Sequence, residues 1–350
     1  MATYTMDAEV ADLRVERPHV VLLGAGASRA AFPNGDANGR LLPTMAELVD
    51  TLELRPSLER AGVGGDLRNF EAIYAELDGR PELAKLRIEV EHRALSYFAA
   101  LEMPETVTLY DQLVCSLRPK DFIATFNWDP FLYDAMARNQ PVSLLPTALF
   151  LHGNVRVSVC ASCAAYGRSG NPCHRCGGPC EPTRILFPVT RKDYNADPFT
   201  ANQWAHVKAA IGDAYILTIF GYGAPRTDVE AMKLLSGAWG PAAQRVYEQT
   251  QFIDIRPEAD LLSTWEPFIH SHHYDVHRDI RKSVLFRHPR RSCEATWAML
   301  MDAQWIMHAS EMPESGPLDT LHRWLEPRLA VERTQAPPRR RVGRPHPPSS

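Results

Sequence analysis

Short unbroken apolar runs alternate along this chain with segments whose apolar residues recur every three or four positions. The runs are "HVVLLGAG", "DFIATFN", "TALFLHG", "YILTIFGYG" and "TQFIDI", starting at residues 19, 121, 147, 215 and 250. An apolar run without alternation is the mark of a strand buried on both faces of a parallel sheet. "RILFPV" at 184 has the same strand-like character. Between Asp66 and Met103 the spacing changes to three and four: Leu67, Phe70, Ile73, Tyr74, Leu77, then Leu83, Leu86, Val90, Leu95, Phe98. This predicts two or more helices. Thr44 and Glu47 form a T-x-x-E start signal just before them. "LYDQLVCSLRP", "WDPFLYDAMAR", "FTANQWAHVKAAIGDA" and "DVEAMKLLSGAW" predict further helices, and residues after 260 read as mostly helical.

Strands alternating with helices predict an α/β fold with a doubly wound, Rossmann-like parallel sheet. The expected organisation is a loose leader at 1–17, a nucleotide-binding part at 18–154 with a helical insertion at about 44–118, and a small insertion at 155–182. The second part of the sheet and C-terminal helices follow at 183–330, then a Pro/Arg-rich tail at 331–350 that reads as disordered.

Composition changes this picture little. Of 350 residues, 45% are hydrophobic and 23% charged, with a formal net charge of -4. A core of this size needs no disulfide or metal. Nothing global points to nucleic acid or to an anionic membrane, and the arginines of the tail read as a solvated segment rather than a nucleic-acid contact. No apolar run approaches the roughly 20 residues of a spanning helix. The first residues lack a basic segment followed by an apolar one. The expected location is therefore cytoplasmic, with the seven cysteines as thiols or metal ligands.

In doubly wound sheets ligands bind beyond the carboxyl ends of the strands, so those ends hold the candidate chemistry. The first is Gly24-Ala25-Gly26-Ala27-Ser28. Its glycines permit a tight turn and the following helix start offers amides to a phosphate, but Arg29 stands where the dinucleotide fingerprint has its third glycine. A strand that only needs a tight turn looks similar. The second is Asn127 and Asp129, which offer a donor and acceptors, or else a turn and a helix cap ahead of Pro130. The third is His152 with Gly153, a general base near neutral pH or a satisfied core histidine. The fourth is Gly221-Tyr222-Gly223, where backbone can approach a ligand. Beyond it, Asp254 either accepts from a ribose hydroxyl or pairs with Arg256.

The insertion is of different material. It holds five of the seven cysteines. Cys160-x2-Cys163 and Cys173-x2-Cys176 are two knuckles, nine residues apart. That pattern points to a tetrahedral zinc site of four cysteines, structural because four thiolates leave no open position. Cys180 is a spare that could replace Cys176, and His174 is a further candidate. The alternative is a redox cluster.

In this order the motifs resemble the sirtuin superfamily, over roughly residues 20–280: "GAGAS", "TFNWD", "HG", the paired C-x-x-C knuckles, "GYG" and "IDI". The resemblance implies a sirtuin-type fold with a zinc ribbon, and an enzyme that consumes NAD by breaking the nicotinamide–ribose bond. Asn127 would orient the acceptor or water, Asp129 would hold the nicotinamide carboxamide, and His152 would be the general base on a ribose hydroxyl. Gly24, Ala25, Gly26 and Ser28 would hold the pyrophosphate. Gly221 and Tyr222 would line the phosphate–ribose region, and Asp254 stands where the family has Asn.

Departures bear on the outcome. Deacylases of this family follow G-A-G-x-S with a loop containing P-D-F-R; here it reads "RAAFPNGDANGR". The deacylase strand ending in F-G-E is replaced by "RILFPVTRKDYNADPF", and Trp128 stands where Ile or Val is usual. These features are similar to bacterial SIR2-like proteins of antiphage defence, which hydrolyse NAD. The expectation is an NAD hydrolase, with a protein-lysine deacylase and a non-catalytic NAD or ADP-ribose sensor as alternatives. Expected partners are NAD, a second copy of the chain or a defence-system protein, and no membrane.

Overall fold

The structure, a computed structural model, describes residues 2–142, 144–189, 192–225 and 228–335. Nine strands are described: β1 His19–Leu23, β2 Phe122–Thr125, β3 Thr147–Phe150, β4 Val157–Cys160, β5 Tyr166–Arg168, β6 Cys180–Pro182, β7 Ile216–Phe220, β8 Gln249–Ile253 and β9 Tyr274–His277. Six form one sheet in the order β3-β2-β1-β7-β8-β9, every neighbouring pair parallel. The remaining three form an antiparallel ribbon in the order β5-β4-β6.

The unbroken apolar runs have a direct cause. Val21 and Leu23 of β1 join the core on one face of the sheet, and Val20 and Leu22 join the core on the other. Both faces of the strand are dry, so no polar alternation is tolerated. Helices Phe70–Gly79, Ala84–Ala99, Leu109–Cys115, Phe131–Arg138 and Leu318–Gln335 cover the first face. Helices Pro198–Asp213, Val229–Trp239 and Glu258–Trp265 cover the second. Strand order reverses between β1 and β7, which opens a crevice at their carboxyl ends.

Three expectations differ from the structure. Residues 274–277 form the edge strand β9 within a region that reads as helical; four residues carry too little periodicity to register. Residues 183–189 do not form a strand: Val189 N–H turns back to the Phe187 carbonyl at 2.9 Å, and Pro188 lacks the N–H that a ladder needs. The N-terminal leader is not loose. Thr5 caps a helix, Met6–Ala11, whose Glu9 is fully buried. Glu9 Oε2 accepts from His288 Nδ1 at 2.6 Å and His308 Nε2 at 2.7 Å, which ties the start of the chain to its C-terminal third. The last helix continues to Gln335, and the rest of the Pro/Arg-rich tail lies outside the described residues.

Candidate functional site

Two glycine turns meet at the crevice. Gly24 N–H donates to the Phe220 carbonyl and Gly26 N–H to the Gly221 carbonyl, each at 3.0 Å. A Cβ on Gly24 would lie 2.5 Å from Tyr222 Cα, and one on Gly221 would lie 2.3 Å from Ala27 N. Gly221 also has φ +61°. The glycines are thus required by the packing of one turn on the other, a constraint that a reading of phosphate approach alone omits.

Behind the turns lies a buried polar network. Asn127 Nδ2 donates to the Gly24 carbonyl at 2.8 Å and to Ser28 Oγ at 2.9 Å. Ser28 Oγ lies 2.6 Å from Asp129 Oδ2 and 2.7 Å from the Tyr110 hydroxyl. Asp129 Oδ1 accepts from the Phe131 N–H at 3.2 Å, so this carboxylate also serves the start of the following helix. Burial pushes the Asp129 carboxyl up to about 6, against the hydrogen bonds from Ser28 and Phe131 that favour its charged form. Ser28 and Asp129 border a small cavity of about 50 Å³ next to Trp128, with Ala25 in its wall.

His152 follows β3 and opens on a larger cavity of about 230 Å³, lined also by Gly24, Asn127, Lys192, Tyr222 and Asp228. Gly153 makes the bend: its φ is +77°, and a Cβ there would lie 2.2 Å from the Arg184 carbonyl oxygen. The imidazole stands edge-on to Phe126 at 4.9 Å and parallel to Tyr194 at 6.0 Å. Among the described residues, His152 Nε2 is buried without a hydrogen-bond partner. Burial, then the Lys192 ammonium, lowers its pKa to about 3, so the ring is neutral at physiological pH. A neutral imidazole keeps one nitrogen able to accept a proton, and His152 lines this cavity.

Sequence reasoning missed two members of this wall. Lys192 forms a buried ion pair with Asp228, whose other oxygen accepts from the Tyr222 hydroxyl at 2.8 Å. Burial pushes the Asp228 carboxyl up, and the facing Lys192 ammonium and Tyr222 hydroxyl outweigh it and hold it low. Tyr222 in turn stacks on Phe126 at 4.0 Å. Lys192 sits in the unpatterned stretch "TRKDYN" and offers no local signal. Asp228 closes "GYGAPRTD": the sequence marks strand end, spacer and acid as one unit but gives the acid no role. Tyr110, on an apolar helix, reads as ordinary core.

The structure brings Gly24, Ala25, Asn127, His152, Gly221 and Tyr222 to the walls of one cavity. Ser28 and Asp129 lie just behind, and Gly26 is held in the turn contact. Asp254 stands apart. Its carboxylate binds the Arg256 guanidinium at 2.9 and 3.1 Å, the pairing that was the alternative to a ribose contact.

In the ribbon, Sγ atoms of Cys160 and Cys176 are 3.5 Å apart and those of Cys163 and Cys173 are 3.4 Å apart. All four lie within 4.8 Å of one another. Tetrahedral zinc with Zn–S bonds of about 2.3 Å needs sulfurs about 3.8 Å apart, so the set fits the ion. Cys180 pairs across the ribbon with Cys160, and neither it nor His174 belongs to the cluster.

No protein-family model matches the sequence, and no curated protein matches it. Solved structures similar to the chain include a SIR2 homologue in complex with NAD, 16% identical, with 85% of this chain and 97% of that one covered at TM-score 0.35. A mutant Sir2 homologue in complex with 2'-O-acetyl ADP ribose is 16% identical over 83% of this chain and 96% of that one, at TM-score 0.41. A structure described as the basis of sirtuin substrate affinity is 14% identical over 80% and 94%, also at TM-score 0.41.

Proposed function

We propose that this chain is an NAD-consuming enzyme of the sirtuin superfamily that hydrolyses NAD to nicotinamide and ADP-ribose. One observation carries the reading: a neutral, buried His152 lines the same 230 Å³ cavity as Asn127, at the strand-order reversal. The ordered strand-end motifs supply the substrate class.

In the reaction the C–N bond between ribose and the pyridinium breaks, and nicotinamide leaves neutral with the bonding pair. The sugar passes through an oxocarbenium-like state, and water adds to the anomeric carbon with loss of a proton. His152 accepts the proton from a ribose hydroxyl or from the water. Asn127 holds the incoming oxygen by its amide oxygen. Asp129 faces the smaller cavity, in reach of a carboxamide. The Lys192–Asp228 pair keeps an ammonium beside His152, which favours the neutral ring.

Water as acceptor is supported by the loop after Ser28. Phe32 is buried against Phe131, ring centroids 4.1 Å apart, and lines neither cavity. A deacylase remains the second reading because of one feature. A cleft of about 700 Å³ lies between the helical insertion and the ribbon, and it shares Leu186 and Lys192 with the inner cavity. We further infer that Cys160, Cys163, Cys173 and Cys176 hold a structural Zn2+, with no role in bond breaking.

Purified protein is incubated with NAD, with and without an acetyl-lysine peptide, while nicotinamide and ADP-ribose are followed. Release without peptide is the expected result. Strict dependence on peptide, with O-acetylated ADP-ribose as product, selects the deacylase, and NAD binding with no product selects a sensor. Asn127→Ala and His152→Ala should each lower turnover by at least about 100-fold while leaving the fold intact.

A further inference from the structure

Asn127 reaches the cavity with only one of its polar atoms free. The Gly24 carbonyl can only accept, so the amide nitrogen must face it, and the second amide hydrogen goes to Ser28 Oγ. What the side chain still offers is Oδ1.

The Ser28 hydroxyl has one hydrogen and two lone pairs. An ionised Asp129 only accepts, so the Ser28 hydrogen goes to its Oδ2 at 2.6 Å. One lone pair takes the Asn127 N–H. The other takes the Tyr110 hydroxyl at 2.7 Å, which must therefore be the donor. Burial first, and then the Asp129 charge, pushes the Tyr110 pKa upward, so this hydroxyl keeps its proton. Its ring is held by Phe32 at 6.0 Å and Phe131 at 6.3 Å. Its helix is fixed by a capping box between Thr108 and Asp111. Tyr110 lines neither cavity, so it acts through the side chains its hydroxyl meets, Ser28 and the neighbouring Asn127 amide.

We propose that Tyr110 is a positioning residue: its hydroxyl fills the last lone pair of Ser28 and locks the Asn127 amide with Oδ1 presented to the reacting oxygen. Without that donor, the Ser28 hydrogen stays on Asp129 and the amide keeps the Gly24 carbonyl, but one lone pair of Ser28 is left unfilled and the second of the amide's two anchors is held less firmly. The catalytic half of this inference rests on the NAD-cleaving reading; the structural half does not.

The test uses the full chain with Tyr110→Phe and, as a second variant should that one fail to fold, Ser28→Ala. Two readouts are taken: kcat and KM for nicotinamide release, and hydrogen exchange of the Asn127 side-chain amide by NMR with labelled asparagine. The expected result is a kcat about 10- to 100-fold lower with KM changed less than about 3-fold. The Asn127 amide hydrogens should exchange at least about 10-fold faster. Unchanged kcat together with unchanged exchange overturns the proposal, and leaves the NAD reading standing if the wild-type chain is active and Asn127→Ala is not. If the wild-type chain releases no nicotinamide, the NAD reading fails and amide exchange decides alone: faster exchange supports the lock, and unchanged exchange overturns it.

Discussion

Ser28 Oγ makes three hydrogen bonds, and their directions follow from the one partner that cannot donate, an ionised Asp129. That dependence sets a pH limit on the site. The Asp129 carboxyl, raised to about 6 by burial, takes up a proton as pH falls through that value. Once protonated, it can donate to Ser28 and reverse the chain of donors. His152, lowered to about 3, stays neutral over the same range and adds no limb there. The kcat for nicotinamide release should therefore fall as pH drops through about 6, with the protein still folded. Asp129→Asn should be slow and lack that limb. A wild-type profile flat from about pH 7 to about pH 5 would contradict the assignment. At this scale much was legible. Asn127, His152 and Gly221 follow buried strands, and a strand's end is marked by where its apolar run stops. Tyr110 and Lys192 were not legible, because their roles depend on residues more than thirty positions away, Ser28 and Asp228.

Between elements, the glycine turns and the ribbon each make a separate claim. The turn after β1 sits against the turn after β7 so closely that Gly221 admits no Cβ, whereas a Cβ on Gly223 would meet nothing within 4 Å. Gly221→Ala should cost about 2–4 kcal/mol of stability in urea unfolding, through a left-handed backbone and a clash with Ala27. Gly223→Ala should be within about 0.5 kcal/mol of wild type. Equal effects would mean that the turn contact is not what constrains these positions. The ribbon has only a small core of its own, Cys160, Ala165 and Cys173. Zinc should therefore hold it. Native mass spectrometry should find one zinc per chain, lost in Cys173→Ser, with faster amide exchange at Val157–Cys160 and an unchanged six-stranded sheet. A metal-free native protein with the ribbon already protected from exchange would contradict this. The C-x-x-C spacing made the cluster legible; β9 was misread because a short edge strand carries weak periodicity, and 183–189 because its apolar run hides the break at Pro188.

Over the whole molecule, the sheet was legible because parallel strands coated on both faces leave a continuous apolar trace, and β1 supplies residues to both cores. The tie between the two ends of the chain was not. Glu9, inside a polar N-terminal stretch, is buried against His288 and His308, and Arg290 and Arg291 bind Glu332 of the last helix. Charged residues read as solvent-facing unless their partners are known, and these partners lie far away in sequence. The terminal helices thus brace the sheet from the side away from the candidate chemistry, while the strand ends keep their cavity. The central proposal is that NAD is broken at the cavity shared by Asn127 and His152. The most direct measurement is nicotinamide released from NAD in the absence of any acylated peptide, by the wild-type chain and by Asn127→Ala. The account predicts steady release by the wild type, with ADP-ribose formed in equal amount, and at least about a 100-fold loss in the variant. Equal release by the two proteins, or release only when an acetyl-lysine peptide is present, would contradict it.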